Sequence, residues 1–212
     1  MAQFDTTPLY AFDLTQELQH GTPVVGIDEA GRGPLAGPVV AAAVVLDLNN
    51  PINGIYDSKK VAPRKRELLY DEIAEKAHAW AVASASPEEI DKYNILQATF
   101  MAMKRALDDI SLTWSIALVD GNQYITSLPR NVQKPVIKGD GLSASIAAAS
   151  IMAKVTRDRI MAGYHLLYPQ WDFQVHKGYP TARHRELIGK LGLCDIHRKS
   201  FCKHFLHTRK SA

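Results

Sequence analysis

Residues 24–34 read Val24-Val-Gly-Ile-Asp-Glu-Ala-Gly-Arg-Gly-Pro34. The apolar run is typical of a buried strand and ends in two adjacent carboxylates, Asp28 and Glu29, after which Gly31 and Gly33 break the regular backbone. Carboxylate oxygens suit Mg²⁺ or Mn²⁺, and glycine lets the backbone of a polyanion approach closely. The segment therefore indicates metal-assisted phosphate chemistry, although acidic pairs before glycine-rich turns also occur in ordinary surface loops.

A dinucleotide-binding strand-turn-helix is the other fold that such a segment can indicate. The glycines at Gly31, Gly33 and Gly37 do not have the spacing of that fingerprint. Pro34 and Pro38 frame an apolar β-branched run where the helix should begin. The local context therefore excludes this alternative.

Composition places the chain among ordinary globular proteins. Its 212 residues suffice for one domain or at most two. No apolar run approaches the roughly 18 residues that a membrane span needs, so we expect a cytoplasmic protein with no membrane contact. The net charge of +3 is uneven, because eight Lys or Arg and two acids follow residue 182, which gives +6 there and −3 before it. That basic end suits a phosphate backbone, although solvated basic tails are common.

Hydrophobic periodicity predicts a first group of elements. Residues 38–48 form a second strand, and the short connection from the first predicts an antiparallel pair. A helix begins at Pro63, residues 80–85 form a strand, and Ser86 opens a long unbroken helix with a capping-box pattern.

The second half of the chain alternates strands and helices. Residues 116–120 form a short strand that ends at Asp120, and an edge strand is expected at 135–138. A helix rich in Ala and Ser begins at Ser143 and ends near Leu167. Thr181 caps a last helix that stops at Gly192.

These elements predict an α/β fold in which helices cover both faces of a mixed sheet. We expect three parts: an N-terminal extension over 1–21, a catalytic domain over 22–167, and a C-terminal substrate-binding part with a basic tail over 168–212. The chain is expected to act as a monomer.

The acidic residues at strand ends form a candidate site. Parallel strands present their carboxyl ends on one side of a sheet, so Asp28, Glu29 and Asp120 should converge there. Two bridged metal ions in such a site can orient water for phosphodiester hydrolysis. Consecutive strand residues face opposite sides, so Asp28 and Glu29 can share the site only if the strand ends near Glu29.

Five motifs, which occur in this order, carry a resemblance to a known family. They are Asp28-Glu-Ala-Gly-Arg-Gly-Pro34, Asp57-Ser-Lys-Lys60, Val119-Asp-Gly121, Lys138-Gly-Asp140 with Ala148-Ala-Ser-Ile-Met-Ala-Lys154, and His176-Lys-Gly-Tyr-Pro-Thr181. Over residues 22–201 the chain resembles bacterial type 2 ribonuclease H, the ribonuclease HII family. The resemblance implies a ribonuclease H-like α/β domain with a small C-terminal helical part.

The resemblance also implies site residues. The acidic residues that bind metal and take part in catalysis would be Asp28, Glu29, Asp120 and Asp140. Asp158 is a rival for the fourth position, but an ion pair with a neighbouring Arg within a helix explains Asp158 better. Gly31, Arg32 and Gly33 would form the loop that reads the 2′-hydroxyl, and Tyr179 would stack on the sugar. Weaker contacts to phosphate would come from Lys59, Lys60 and Asn94. Lone lysines are usually solvated, and Asn94 also suits a role in satisfying neighbouring backbone.

By resemblance, the chain is an endonuclease that requires Mg²⁺ or Mn²⁺ in a two-metal site. It would hydrolyse the RNA strand of RNA–DNA hybrids and cut 5′ of single ribonucleotides in duplex DNA, and so remove misincorporated ribonucleotides. Two rivals remain, another metal-dependent nuclease of the same fold and a catalytically silent module that binds hybrids.

A group of soft metal ligands lies near the C-terminus. It comprises Cys194, His197, Cys202, His204 and His207. Their spacing is not that of a standard zinc ribbon or finger, so we expect a structural role for them and no zinc. Two cysteines so close together make no disulfide framework.

Overall fold

The computed structural model describes residues 5–21, 23–56 and 58–206, with the side chain of residue 206 excluded; Asp57 and His207 therefore lie outside the described residues. In this part of the chain, a five-stranded sheet has the order β3-β2-β1-β4-β5. The strands are β1 Val24–Ala30, β2 Val39–Val45, β3 Ala79–Ala85, β4 Ile116–Asp120 and β5 Gln133–Val136.

The sheet is mixed, as predicted. β1 pairs with β2 antiparallel, and β2 pairs with β3 antiparallel. β1 runs parallel to β4, and β4 runs parallel to β5. Ile27 pairs with Val119 in the parallel register, so the next residues, Asp28 and Asp120, lie side by side near the carboxyl ends of neighbouring strands.

Helices cover both faces of the sheet. They are α1 Thr7–His20, α2 Pro63–Lys76, α3 Pro87–Asp108, α4 Ala144–Leu167, α5 Phe173–His176, α6 Ala182–Leu191 and α7 Lys199–Leu206. One apolar core joins α1, α2 and α4 to one face of the sheet, and a second core joins α3 to the other face. The predicted α/β architecture is confirmed.

The helix α4 approaches β1 more closely than side chains of ordinary size would allow. Its Ala-rich first half is buried, and an added Cβ at Gly26 would lie 2.1 Å from the backbone carbon of Ser145. From the other side, Asp13 of α1 accepts a 2.8 Å hydrogen bond from the Ser145 backbone N–H. The segment 1–21, expected as an extension, therefore contains a helix that caps α4.

Three predictions about secondary structure differ from the structure, two of them about helices and one about a strand. The long helix from Ser86 has the predicted capping box, but it is kinked at Asn94, whose φ is 68° and ψ is 164°. Thr181 caps α6 as predicted, yet α6 is not the last helix, because α7 follows it. The edge strand lies at Gln133–Val136, two residues before its predicted range.

The C-terminal helices share a small apolar core with the loop after β1 and with α4. Trp171, Phe173 and Ile188 pack there against Leu35 and Met161. The backbone of Ala36 and His197 forms an isolated β-bridge between the two segments. Among the described residues, no helix is long and apolar enough to cross a membrane.

Gly26→Ala is expected to destabilise the protein, because its methyl group would meet the backbone of α4 and no side-chain rotation can relieve that contact. We expect a loss of about 2–3 kcal/mol in the free energy of unfolding, measured by urea denaturation. Gly163→Ala is the matched control, because an added Cβ there meets nothing within 4 Å, and a gain of about 1 kcal/mol is expected within α4. Equal effects of the two substitutions would contradict the close packing of α4 on β1.

Candidate active site

Eight of the sequence-predicted residues line one pocket of about 250 Å³ at the carboxyl ends of β1 and β4. They are Asp28, Glu29, Gly31, Arg32, Gly33, Lys59, Asp120 and Tyr179. The strand β1 continues through Ala30, one residue beyond the predicted end. Asp28 and Glu29 nevertheless both line the pocket, so the predicted requirement that the strand end near Glu29 was wrong.

Asp28 is the most buried of the three acids in the pocket, at 5% exposure. Its Oδ1 accepts a 2.7 Å hydrogen bond from the backbone N–H of Glu29. Burial, followed by the charges of Glu29 and Asp120, raises the pKa of Asp28 well above its ordinary value, and a hydrogen bond from Ser150 acts in the opposite direction. The Ser150 hydroxyl also lies 2.9 Å from that of Ser58, so a hydroxyl pair connects this carboxylate to the loop before Lys59.

Glu29 faces the same pocket with a different partner. The guanidinium of Arg32 lies 3.4 Å from its Oε1. Burial raises the pKa of Glu29, the charge of Arg32 lowers it, and the charge of Asp120 raises it again. Three carboxylates are therefore held together against their mutual repulsion, and a cation between them would relieve it.

Asp120 is the last residue of β4, and its Oδ1 accepts a 2.7 Å hydrogen bond from the backbone N–H of Gly139. Asp140 follows in a 3₁₀ turn, but it lines a neighbouring pocket with Lys60 and Lys138. Lys59 lines both pockets. The structure therefore gathers three of the four predicted acids in one wall and places the fourth next to them.

The donor set fits a hard divalent cation. Among the described residues, no group of three or more His, Cys, Asp or Glu side chains is arranged closely enough to hold a metal ion by itself. Mg²⁺ is commonly held by one or two carboxylates, with water and substrate phosphate filling its other positions. An open, carboxylate-lined pocket is the arrangement that such coordination requires.

Two buried arginines hold the glycine loop that borders this pocket. Arg198 donates from Nε to the carbonyl of Gly37 at 2.9 Å, from one terminal nitrogen to that of Arg32 at 2.9 Å, and from the other to that of Gly31 at 2.6 Å. Burial lowers its pKa to about 9. This side chain is 0% exposed, so three carbonyls satisfy a guanidinium that water does not reach.

Arg157 acts in the same way on the next part of the loop. It donates to the carbonyls of Pro38 at 3.1 Å, Ala36 at 3.1 Å and Lys177 at 3.0 Å. An added Cβ at Gly31 would lie 2.0 Å from its Nε, which explains why this position, with φ of +99°, requires glycine. Within the described residues, neither arginine forms an ion pair with a carboxylate.

The arginine contacts determine the direction of two backbone donors. No described peptide bond is cis, and in a trans peptide the C=O and N–H groups point in opposite directions. Because the carbonyls of Gly31 and Arg32 point to Arg198, the N–H groups of Arg32 and Gly33 point away from it. The loop therefore has the geometry to offer hydrogen-bond donors to a ligand.

Tyr179 completes the pocket from the C-terminal part. Its side chain is 39% exposed, and the Arg157 guanidinium lies 5.6 Å from its ring centroid. One arginine thus contacts both the glycine loop and the tyrosine.

The remaining predicted residues lie outside the carboxylate pocket. Lys60 stands over the ring of Tyr56 at 5.1 Å in the neighbouring pocket. Asn94 accepts through Oδ1 from the backbone N–H groups of Leu96 at 3.0 Å and Gln97 at 3.1 Å. The alternative that Asn94 satisfies neighbouring backbone is confirmed.

Asp158, the rival for the fourth acidic place, is engaged elsewhere. It accepts a 2.6 Å hydrogen bond from Lys154 within α4, and Arg66 of α2 lies 3.8 Å away. Its ion-pair role in a helix is confirmed, although Lys154 and Arg66 are its partners in place of an adjacent arginine.

Sequence reasoning missed five residues of the site. Ser58, Ser150 and Lys154 line the pocket, and Arg157 and Arg198 hold its loops. Ser150 and Lys154 are four residues apart in the Ala- and Ser-rich motif, a spacing that places both on one face of a helix. No local pattern distinguishes the two arginines from solvated ones.

Two members of the cysteine and histidine group, Cys194 and His197, form a hydrogen-bonded chain with His184, and this chain is called the histidine chain below. The backbone N–H of Cys194 donates to His197 Nδ1 at 3.0 Å, so the proton of neutral His197 is on Nε2, which lies 3.1 Å from His184 Nε2. His184 then carries its proton on Nδ1, 3.0 Å from the Tyr179 carbonyl. Burial lowers the pKa of both His184 and His197 to about 4. The hydrogen bonds of Cys194 and His197 are consistent with the predicted structural role of these two residues.

Comparison with protein families gives one match that spans most of the chain. The family model described as Ribonuclease HII matches residues 25–204. A ribonuclease HII of Polaromonas sp. is 54% identical over 178 residues, which cover 84% of this chain and 88% of that protein. A ribonuclease HII of Shewanella oneidensis is 54% identical over 181 residues, which cover 84% and 87% respectively.

A solved structure has the same fold. The ribonuclease H2 from Pyrococcus horikoshii aligns with a TM-score of 0.72 and 25% identity, over 89% of this chain and 99% of that one.

Arg198→Met should destabilise the protein by about 3 kcal/mol, because three buried carbonyls lose their donor. Urea denaturation measures the loss. Arg183→Met is the control, since Arg183 is 55% exposed and pairs only with Glu186, and we expect a change within about 0.5 kcal/mol. If Arg198→Met loses no more unfolding free energy than the control, the three carbonyl contacts of Arg198 do not stabilise the loop.

The histidine chain should make stability dependent on pH. Because the ordinary pKa of 6.5 falls to about 4 in His184 and His197, the unfolded chain binds protons in this window that the folded chain does not bind. Their stabilisation is therefore complete above pH 6.5 and is lost towards pH 4. Asp13 acts in the opposite sense, because burial raises its pKa to about 6.

The contribution of one histidine is isolated by comparing the wild type with His184→Phe. The difference in their unfolding free energies should shrink by on the order of 1 kcal/mol between pH 7.5 and pH 5. Urea denaturation at each pH gives this difference. A constant difference over the range would contradict a neutral, buried His184.

Proposed function

The chain belongs to the ribonuclease HII family and is a ribonuclease H endonuclease, and from this premise we propose that it cuts RNA–DNA hybrids and single ribonucleotides in duplex DNA at the carboxylate pocket. Ribonucleases H act on RNA–DNA hybrids and depend on divalent metal ions. The finer assignments are the cut 5′ of the ribonucleotide, the residues that make it, and a two-metal site for Mg²⁺ or Mn²⁺.

The observation that carries the proposal is the shared pocket of Asp28, Glu29 and Asp120 beside the glycine loop. Acidic groups at neighbouring strand ends repel the phosphate that a simple binding module would need to attract. Burial raises the pKa of both Asp28 and Glu29, and the charge of Asp120 raises the pKa of each of them further, which favours a cation-binding role. A catalytically silent module has no use for such a cluster.

Asp28, Glu29 and Asp120 would hold the metal ions, and Asp140 would complete the site from the neighbouring pocket. Bound divalent cations supply positive charge that offsets the phosphate charge and assists attack by water. Water forms a bond to phosphorus, the bond between phosphorus and O3′ of the preceding nucleotide breaks, and O3′ takes up a proton. The products are a 3′-hydroxyl and a 5′-phosphate. A ribonuclease HIII, Bst-RNase HIII, was solved in complex with Mn²⁺ and shares the fold with a TM-score of 0.73 at 18% identity, over 90% of this chain and 71% of that one.

Selectivity for ribose would come from the opposite wall of the pocket. The 2′-hydroxyl both donates and accepts hydrogen bonds, and it is the group that distinguishes RNA from DNA. The outward N–H groups of Arg32 and Gly33 would donate to it or to the adjacent phosphate, and the Tyr179 ring would stack on the sugar. Lys59, Lys60 and Asn94 would contact phosphates of the same duplex.

Two further assignments belong to this proposal. We expect the protein to act as a monomer on duplexes in the cytoplasm, where it would remove misincorporated ribonucleotides from DNA.

The test is cleavage of a labelled DNA duplex that carries one ribonucleotide. With Mn²⁺ or Mg²⁺ we expect a cut immediately 5′ of the ribonucleotide, no cut in all-DNA duplex, and none with chelator. Asp120→Asn should lower kcat by about 100-fold or more, because it removes a metal-binding charge but keeps an acceptor for the Gly139 N–H. Calorimetry should show weaker Mn²⁺ binding by this variant.

Asp108→Asn is the matched control, because Asp108 is an exposed acid on α3 that pairs with Lys104. Its kcat should stay within about 3-fold of the wild type. If all-DNA duplex is cut equally well, the role of the glycine loop in recognising ribose is wrong. If Asp120→Asn is fully active, the carboxylate pocket is not the site of cleavage.

A further inference from the structure

The backbone that carries Tyr179 is held in an unfavourable conformation. Lys177 has φ of +49° and Gly178 has φ of +83°, so two successive residues are left-handed. A non-glycine residue in this region costs free energy and persists only when its surroundings hold it. The position of the Tyr179 ring in the pocket therefore depends on the groups that hold this turn.

Those groups are buried and come from separate parts of the chain. The carbonyl of Gly178 accepts from the Leu35 N–H at 2.8 Å, and its N–H donates to His176 Nδ1 at 3.1 Å. The carbonyl of Tyr179 accepts from the Thr181 N–H at 2.8 Å within the turn and faces His184 Nδ1 at 3.0 Å. His184 is thus the side chain that connects the tyrosine backbone to the C-terminal helices.

The histidine chain fixes which nitrogen of His184 donates. His197 accepts at Nδ1 from the backbone N–H of Cys194, so its Nε2–H donates to His184 Nε2, and the proton of His184 is on Nδ1. The other tautomer of His184 would place a lone pair against the Tyr179 carbonyl. His197 Nδ1 also lies 3.3 Å from the Cys194 carbonyl, but the Tyr179 carbonyl can only accept a hydrogen bond, so its 3.0 Å contact independently places the proton of His184 on Nδ1.

We propose that His184 is a positioning residue for ribose recognition: its Nδ1–H, set by His197, holds the Tyr179 carbonyl and thereby places the Tyr179 ring against the sugar at the cleavage site. The inference rests on the proposed function of Tyr179 and adds a residue that does not itself line the pocket. His184 acts through the turn and makes no contact with the reacting atoms.

A purely structural role for His184 has observations of its own. The His184 ring stacks on His176 with 4.1 Å between centroids and packs edge-on against Phe173 at 5.7 Å. A core role of this kind predicts that activity follows stability in every variant, whichever nitrogen position is preserved. The two roles are separated by variants that keep one ring nitrogen at a time.

Three substitutions make that separation. His184→Asn keeps a donor near the Nδ1 position, His184→Gln keeps a polar group near the Nε2 position, and His184→Phe keeps the ring shape without either. We expect Asn to retain kcat on the single-ribonucleotide duplex within about 3-fold, and Gln and Phe to lower it by about 10- to 100-fold with a smaller change in KM. Thermal unfolding of all three variants accompanies the kinetics.

The link through the tyrosine is tested with Tyr179→Ala. If His184 acts through Tyr179, the double variant His184→Phe/Tyr179→Ala is no slower than Tyr179→Ala alone. Independent effects, or equal kcat for His184→Asn and His184→Gln, would overturn the inference. If His184→Phe does not fold, the comparison of kcat between His184→Asn and His184→Gln still distinguishes the positioning role from a purely structural one.

The same data separate this inference from the proposed function. If Tyr179→Ala cuts the single-ribonucleotide duplex as fast as the wild type, with the same preference over all-DNA duplex, the assigned role of Tyr179 is wrong. If Tyr179→Ala is impaired while the His184 variants follow stability alone, the proposed function stands and the positioning role of His184 is wrong.

Discussion

The active-site architecture depends on two buried guanidinium groups whose partners are backbone carbonyls. Arg157 and Arg198 are both 0% exposed and together bind six carbonyls of the glycine loop and the following segments. A buried charge is costly unless it is fully hydrogen-bonded, so the loop and the arginines require each other. The same contacts turn the N–H groups of Arg32 and Gly33 outward, and the proximity of two cations suits a loop that must approach a phosphate backbone.

The acids at the strand ends present the opposite electrostatic problem. Asp28, Glu29 and Asp120 are gathered where burial and like charge both disfavour ionisation, as the raised pKa values of the first two indicate. Such an arrangement contributes no stability of its own and persists because the packing of α4 on Gly26 and the parallel pairing of β1 with β4 impose it. Functional sites commonly violate the local rules that the rest of a fold obeys.

The sequence predicted those features that depend on local pattern. The strand before Asp28, the capping box at Ser86 and the Ala-rich helix against the sheet are each determined by residues within a few positions of one another. The kink at Asn94 was missed, because the apolar spacing on both sides is helical and only the side-chain cap onto Leu96 and Gln97 shows the break. The roles of Arg157 and Arg198 could not be predicted, because five of their six carbonyl partners lie more than 100 residues away in sequence.

The long-range contacts also show that the site is built from two parts of the molecule. The carboxylates stand on the sheet, whereas the loop that would read ribose is paired with the C-terminal part: Gly37 N–H donates to the Ile196 carbonyl and Arg198 N–H to the Leu35 carbonyl. Asp91 of α3 in turn accepts from the first N–H groups of α7, which fixes the helix that follows Arg198. Under the proposed function, metal binding would therefore tolerate a loosened C-terminal part, while discrimination between ribose and deoxyribose would not. Ribose specificity would then be a property of tertiary docking, because the carbonyls of Gly31 and Arg32 are bound by Arg198 of the C-terminal part, and this contact sets the direction of the backbone donors proposed to recognise the 2′-hydroxyl.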